Sequence, residues 1–190
     1  SFFLDPIWWL FVGWLPLYLS ETYGFGVAEI GKFAWIPYVG AMFGAWFGGL
    51  LAQKLIGSGW TVNKVRKFVI GLGGLIMLVS LLMTMKAATP IVAVLLMAAI
   101  LFGFQTAVGN IQTLPSDFYS GQSVGSLAGY SGTAAKLAVV GLNFLIPVIT
   151  VKSYAPAFAV GAALAILTVL SVWILCGKIQ PLSPRQNGAA

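Results

Sequence analysis

Residues 90–114 read PIVAVLLMAAILFGFQTAVGNIQTL, 25 positions without one charged side chain. About 20 consecutive apolar residues make a helix long enough to cross the hydrocarbon core of a bilayer, so this run predicts a membrane span. All of its polar residues lie in the second half. Gln105, Gly109 and Gln112 recur at helical spacing, and Thr106, Asn110 and Thr113 form the adjoining stripe, so the two predict one continuous polar face. Two readings of that face stand. It lines a water-filled cavity, or it hydrogen-bonds to neighbouring helices within lipid.

Five more runs of similar character flank this one: Phe3–Leu19, Lys32–Ile56, Phe68–Met85, Gln122–Thr150, which is long enough to tilt or to kink at Pro147, and Tyr154–Cys176. The expected fold is all-α and integral to the membrane, with six transmembrane helices. Composition agrees, because 59% of the chain is hydrophobic and only 7% is charged, against about 25% in an ordinary soluble domain. The breaks are polar or rich in glycine and proline: Glu21 to Gly31, Gly57-Ser58-Gly59, Thr89-Pro90, Leu114-Pro115-Ser116-Asp117 and Lys152-Ser153. Gly40, Gly44 and Gly48 recur every fourth residue, as do Gly121, Gly125 and Gly129. Small residues at this spacing let helices approach closely in lipid, so both stripes are expected to face protein.

The net charge is +6, but its placement argues against a nucleic-acid partner. Lys54, Lys64, Arg66 and Lys67 cluster at one polar break, and Lys178 and Arg185 lie in the tail; no basic groove is interleaved with polar surface. Positive charge between apolar runs marks cytoplasmic loops. That rule puts segment 57–67, segment 115–121 and both ends of the chain on the cytoplasmic side. Residues 1–178 are expected to form the helical bundle and 179–190 a cytoplasmic tail. The chain begins at Ser1 directly in apolar sequence, which reads as a piece of a longer polypeptide. With Cys176 as its single cysteine and no histidine, no disulfide, metal site or cofactor is expected.

Inside a membrane each polar residue is costly unless used or paired. Lys136 stands out, about fourteen positions into its span and so close to the bilayer centre at roughly 1.5 Å per residue. The four acids, Asp5, Glu21, Glu29 and Asp117, all fall near span ends, and none is an obvious partner for it. Lys136 therefore either faces an aqueous pathway and attracts an anionic substrate, or pairs with an acid elsewhere in a larger protein. Trp9, Tyr38 and Asn143 add the aromatic faces and amides that a hydroxylated ligand needs; the aromatic residues also suit anchoring at the membrane interface. Asp5-Pro6 reads as a helix start, with aspartate as the cap and proline at the first helical position.

Leu4-Asp5-Pro6-Ile7-Trp8-Trp9 followed by Trp14-Leu15-Pro16-Leu17-Tyr18-Leu19 resembles the opening of the seventh helix of sugar-acid transporters in the major facilitator superfamily. That group is the anion:cation symporter family, which includes the hexuronate transporters. Gln112-Thr113-Leu114-Pro115-Ser116-Asp117, continued by Val124-Gly125-Ser126, is similar to the end of their tenth helix and the start of the eleventh. Gly49-Leu50-Leu51-Ala52-Gln53-Lys54 with Arg66-Lys67 resembles the superfamily's cytoplasmic gating signature, in which Gln53, Arg66 and Lys67 would be the gating-loop residues. Gln53 stands where that signature usually has aspartate, and Lys136 where relatives tend to have a small residue.

The resemblance implies the C-terminal six-helix half of a twelve-helix fold with 3+3 inverted repeats, the N-terminal half being a separate part of the transporter. It further implies a bacterial inner-membrane symporter of hexuronate-like anions, coupled to protons or sodium, with coupling acids in the N-terminal half. Substrate-binding residues carried over on it are Trp9, Gln105, Thr106, Asn110 and Asn143; Lys136 and Tyr38 join them from the chemistry above. An intramembrane enzyme is disfavoured, since no histidine can serve as base and no two acids face each other in mid-span. A channel is expected to repeat its polar residues round a pore, whereas here they concentrate on two spans.

Overall fold

The computed structural model describes residues 1–119 and 122–179, and among these it is entirely helical. Eight helices follow in order: α1 (Asp5–Tyr23), α2 (Val27–Phe33), α3 (Ile36–Gly57), α4 (Val62–Thr84), α5 (Pro90–Gln112), α6 (Leu114–Phe118), α7 (Gln122–Ile149) and α8 (Ala155–Leu175). The tail expected beyond the bundle lies, but for its first residue, outside the described residues. Five stretches are long and apolar enough to cross a bilayer: Val27–Gly57, Val62–Thr84, Pro90–Phe118, Ser123–Ile149 and Ala155–Leu175. The 19-residue α1 is not among them, so five of the six expected spans meet that criterion. Their outer faces carry Trp46, Leu50, Phe144 and Leu175, each more than half exposed, as side chains facing lipid are.

Local chemistry moves several boundaries. The Thr61 hydroxyl accepts from the Lys64 backbone amide at 3.4 Å and starts α4 at Val62, six residues before the predicted Phe68. Lys64, Arg66 and Lys67 consequently lie on a helix, and Gln53 lies on α3; the gating "loop" residues are all helical, with the turn confined to residues 58–61. Glu29 bonds the Gly26 amide at 2.9 Å and caps α2 within the expected break. Pro115 does not end a helix but sits in the first turn of α6, the interruption falling at Thr113. Pro147 remains inside α7.

Helix α5 is the centre of the bundle, flanked by α3 and α4. Its buried residues include Met97, Ile100, Leu101, Phe104 and Ala107. On the α3 side, a Cβ added at Gly40, Gly44 or Gly48 would come within 3.0 Å of the backbone of Ala98, Phe102 and Thr106 respectively. The three contacts advance by four residues on both helices, so the two backbones meet edge to edge on three successive turns. On the α4 side Gly73 and Gly103 face each other, each carbonyl filling the space where the other would carry a Cβ. Of the second glycine stripe, Gly125 and Gly129 on α7 meet nothing within 4 Å among the described residues, and Gly121 lies outside them. Helix α1 packs against α7 through Leu10, Leu142 and Ile146, and against α8 through Phe11 and Phe158.

Glycine costs about 1 kcal/mol relative to alanine in a helix interior, so substitution separates packing from propensity. Gly44→Ala is expected to lower stability by about 1–3 kcal/mol, the usual cost of overpacking. Gly49→Ala, on the same helix with open space at its Cα, is expected to be neutral or stabilising. Thermal unfolding of both variants in detergent checks this, and equal shifts would refute the backbone contact.

Candidate functional site

The α5 stripe formed by Gln105 and Gln112 borders two cavities. One, of about 210 Å³, is lined by Asp5, Trp8 and Trp9 of α1, Phe104, Gln105, Val108 and Gln112 of α5, and Lys136 of α7. The other, of about 720 Å³, uses Gln105, Val108 and Gln112 again and adds Gly109, Asn110, Gln53 and Arg66. A cationic, aromatic and amide surface thus runs from mid-bundle to the basic end.

Lys136 is the chemical focus of the smaller cavity. Its Nζ lies 3.4 Å from Asp5 Oδ2 and 5.2 Å from the centroid of the Trp9 ring, and its side chain is 58% exposed. An ammonium over an indole face gains about 0.5–1 kcal/mol at an exposed site. The expectation that no acid of this chain reaches Lys136 is therefore corrected. Asp5 does so because α1 begins deep alongside α7 rather than at its end. The capping role read for Asp5 is corrected too: it is itself the first residue of α1, Leu4 is the cap, and no side-chain cap bond forms.

The second polar stripe of α5 turns the other way. Thr106 Oγ1 bonds Gly44 O at 3.2 Å, and Asn110 Nδ2 bonds Gly48 O at 3.4 Å and Thr106 O at 3.2 Å. Both side chains are buried, at 0% and 3% exposure, because the glycines of α3 bring bare carbonyls within reach. Gln105, Asn110, Gln112 and Thr113 nevertheless all border the larger cavity, so the polar face holds together, with Thr106 turned wholly to α3 and Asn110 serving both the cavity wall and the helix contact. Tyr38 is exposed and stacks edge-on against Trp8 with centroids 6.1 Å apart. Asn143 is exposed, donates to Val139 O of its own helix at 3.0 Å, and borders neither of these cavities.

At the basic end Arg66 forms a fork. Its Nε donates to Asp117 Oδ2 at 2.8 Å, Nη2 to Asp117 Oδ1 at 3.4 Å, and Nη1 to Asn110 Oδ1 at 2.8 Å. Arginine suits this role through its rigid, planar set of donors. The pair is only 14% and 16% exposed and ties α4 to α5 and α6. Lys67 separates from Arg66 and joins α8, its Nζ donating to Trp173 O while Trp173 Nε1 donates to Lys67 O, both at 3.3 Å. Gln53 is exposed and borders the larger cavity. The sequence reading missed Asp117 as Arg66's partner, although their shared location at the basic end was a usable signal.

The opposite end carries a third cavity, of about 400 Å³, between the end of α1, the end of α4 and the turn before α8. Tyr154 Oη donates to Glu21 Oε2 at 2.7 Å, and Tyr23 Oη donates to Ala87 O at 3.0 Å beside Tyr18.

A family model described as Major Facilitator Superfamily matches residues 1–142. The chain is 31% identical over 176 residues to the hexuronate transporter of Escherichia coli, covering 90% of this chain and 40% of that protein. It is 38% identical over 79 residues to the galacturonate transporter of Dickeya chrysanthemi, 40% of this chain and 23% of that one. A Cupriavidus necator protein named "Probable sulfoacetate transporter SauU" is 27% identical over 172 residues, covering 87% of this chain and 39% of its own. The chain thus spans two fifths of the length of its full-coverage relatives.

Arg66→Gln leaves the half-buried Asp117 carboxylate and the Asn110 amide oxygen without their partner. Unsatisfied groups of this kind cost about 1–3 kcal/mol, so a clear drop in unfolding temperature in detergent is expected. Lys67→Gln is expected to cost less, since its amine holds one carbonyl near the surface; a larger loss for Lys67→Gln would contradict the assignment of the fork as the main fastening.

Proposed function

We propose that this chain, which belongs to the Major Facilitator Superfamily, is one six-helix half of a secondary active transporter for small organic anions. The observation that carries the proposal is the cavity in which Lys136, Trp9, Gln105 and Gln112 meet. The ammonium supplies charge for a carboxylate, the indole a face for sugar C–H groups, and the two amides donors and acceptors for hydroxyls. Hexuronates combine these three features, and the hexuronate and galacturonate transporters among the relatives make that class the first to test. Sulfoacetate, an anion without the sugar ring, is the second reading.

Helix α1 is proposed as the sixth span despite its modest apolarity. Its first residue reaches Lys136 of α7 and its end reaches Tyr154 before α8. About 24 Å of helix separates Asp5 from Glu21, and about 20 Å separates Lys136 from the end of α7 at Ile149, at roughly 1.5 Å per residue. Held at both heights, α1 runs beside the half of α7 that follows Lys136 and reaches the same end of the bundle. The six spans are then proposed to form 3+3 inverted repeats, with both ends of residues 1–178 and the 179–190 tail in the cytoplasm of a bacterial inner membrane. The complementary N-terminal half is the proposed partner, the two rocking around a midplane site. Gly125 and Gly129, unopposed among the described residues, suit contact with it. Gln53, Arg66 and Lys67 are proposed to act where the basic ends of α3 and α4 meet that half.

The complete polypeptide containing this chain, reconstituted in proteoliposomes, is expected to take up labelled glucuronate and galacturonate. An inward proton gradient should stimulate uptake, and unlabelled substrate inside should accelerate it, as a carrier but not a channel does. Lys136→Gln is expected to lower kcat/KM about tenfold, corresponding to ~1.4 kcal/mol. Folded protein that transports neither sugar acid would overturn the hexuronate assignment. Normal kinetics in Lys136→Gln would remove that lysine from the site.

A further inference from the structure

The described residues contain two ion pairs, and they differ in kind. Arg66–Asp117 is short, forked and largely buried, at 2.8 Å. Lys136–Asp5 is single and 3.4 Å long, with the lysine 58% and the aspartate 21% exposed. Strong charge-assisted bonds measure about 2.7–2.9 Å, and exposed pairs contribute little to stability. The exposed ammonium can therefore change partners at modest cost.

Its position makes the exchange consequential. Asp5 Oδ2 lies against the ammonium on the wall of the same cavity that holds Trp9, Gln105 and Gln112. A carboxylate arriving from outside meets an ammonium already engaged by a carboxylate. Were Asp5 displaced, it would not be left stranded, because it is the first residue of α1. A helix N-terminus favours a negative side chain within its first turn.

Building on the reading of Lys136 as the anion-binding group, we propose that Asp5 is an internal competitor for it, occupying the ammonium until a substrate anion displaces it. The device selects for charge. A neutral polyol can stack on Trp9 and bond to the glutamines, but it offers nothing to replace the carboxylate, so the Asp5–Lys136 pair stays closed against it. An anion exchanges one ion pair for another and leaves Asp5 to the helix terminus. Asp5 is thus a specificity residue that acts by occupying the site rather than by binding substrate.

Equilibrium binding of glucuronate, galacturonate and sulfoacetate to the purified complete polypeptide tests this. Asp5→Asn is expected to lower the Kd for these anions about three- to tenfold, in keeping with a modest, part-exposed pair. Asp5→Glu, which keeps the carboxylate, should stay near wild type. Lys136→Gln should weaken binding, and Asp5→Asn added to Lys136→Gln should gain nothing, since no ammonium remains to compete for. If Asp5→Asn binds no tighter while Lys136→Gln weakens binding, the competitor is overturned and the anion site stands. If neither substitution changes Kd, both fall. If wild type binds none of the anions, binding restored by Asp5→Asn supports the competitor, and silence from both proteins overturns it.

Discussion

Everything in this bundle is arranged around the backbone contact between α3 and α5. Three glycines at four-residue spacing bring the two helices together where no side chain fits. That closeness exposes the carbonyls of Gly44 and Gly48 to the hydroxyl of Thr106 and the amide of Asn110. In lipid there is no hydrophobic force to drive helices together, and close packing with interhelical hydrogen bonds takes its place. Because Thr106 and Asn110 are spent on this contact, the rotation of α5 about its axis is set. Gln105 and Gln112 are then left facing the cavities, one helical step away.

The charged residues follow the same logic of position. Arg66 is surrounded by Asp117 and Asn110, both anchored on or just after α5, so its fork extends the α3–α5 seam into α4 at the basic end. Asn110 is the shared member, donating to Gly48 O and accepting from Arg66. Lys136 belongs to no such network. Helix α7 meets its neighbours mainly through α1, and its ammonium stands on an open wall with a single acid and a single indole near it. Fastening is concentrated on one side of the bundle, and exchangeable chemistry on the other.

Much of this was legible in the sequence, and the limits have physical causes. Apolar run length identified every long helix, with ends within a few residues except at the start of α4, and the Gly40, Gly44, Gly48 period marked a packing edge. Helical period also gathered the polar residues of α5 onto one face, most of which borders the larger cavity. It cannot say how far the helix is rotated toward each neighbour, and so the division between fastening Thr106 and cavity-facing Gln105 was hidden. The start of α4 was missed because apolarity begins at Phe68, whereas the helix begins at a hydroxyl cap that hydropathy does not register. The Asp5–Lys136 pair joins residues 131 positions apart, and judging acids by their distance from span ends assumed that α1 starts level with its neighbours.

The reciprocal bonds between Lys67 and Trp173 bear on the order in which the molecule is assembled. Domains and helices emerge from the ribosome N-terminal end first, so α3, α4 and α5 can complete their glycine seams while α8 is still unsynthesised. During that interval Lys67 and the notch at Gly74, later filled by Val169, form an unoccupied docking edge on α4. Helix α8 follows and engages that edge at two heights, with an indole and an amine exchanging bonds at one and an aliphatic side chain seated at the other. Helix α8 is thus guided to a berth whose register is already written into α4.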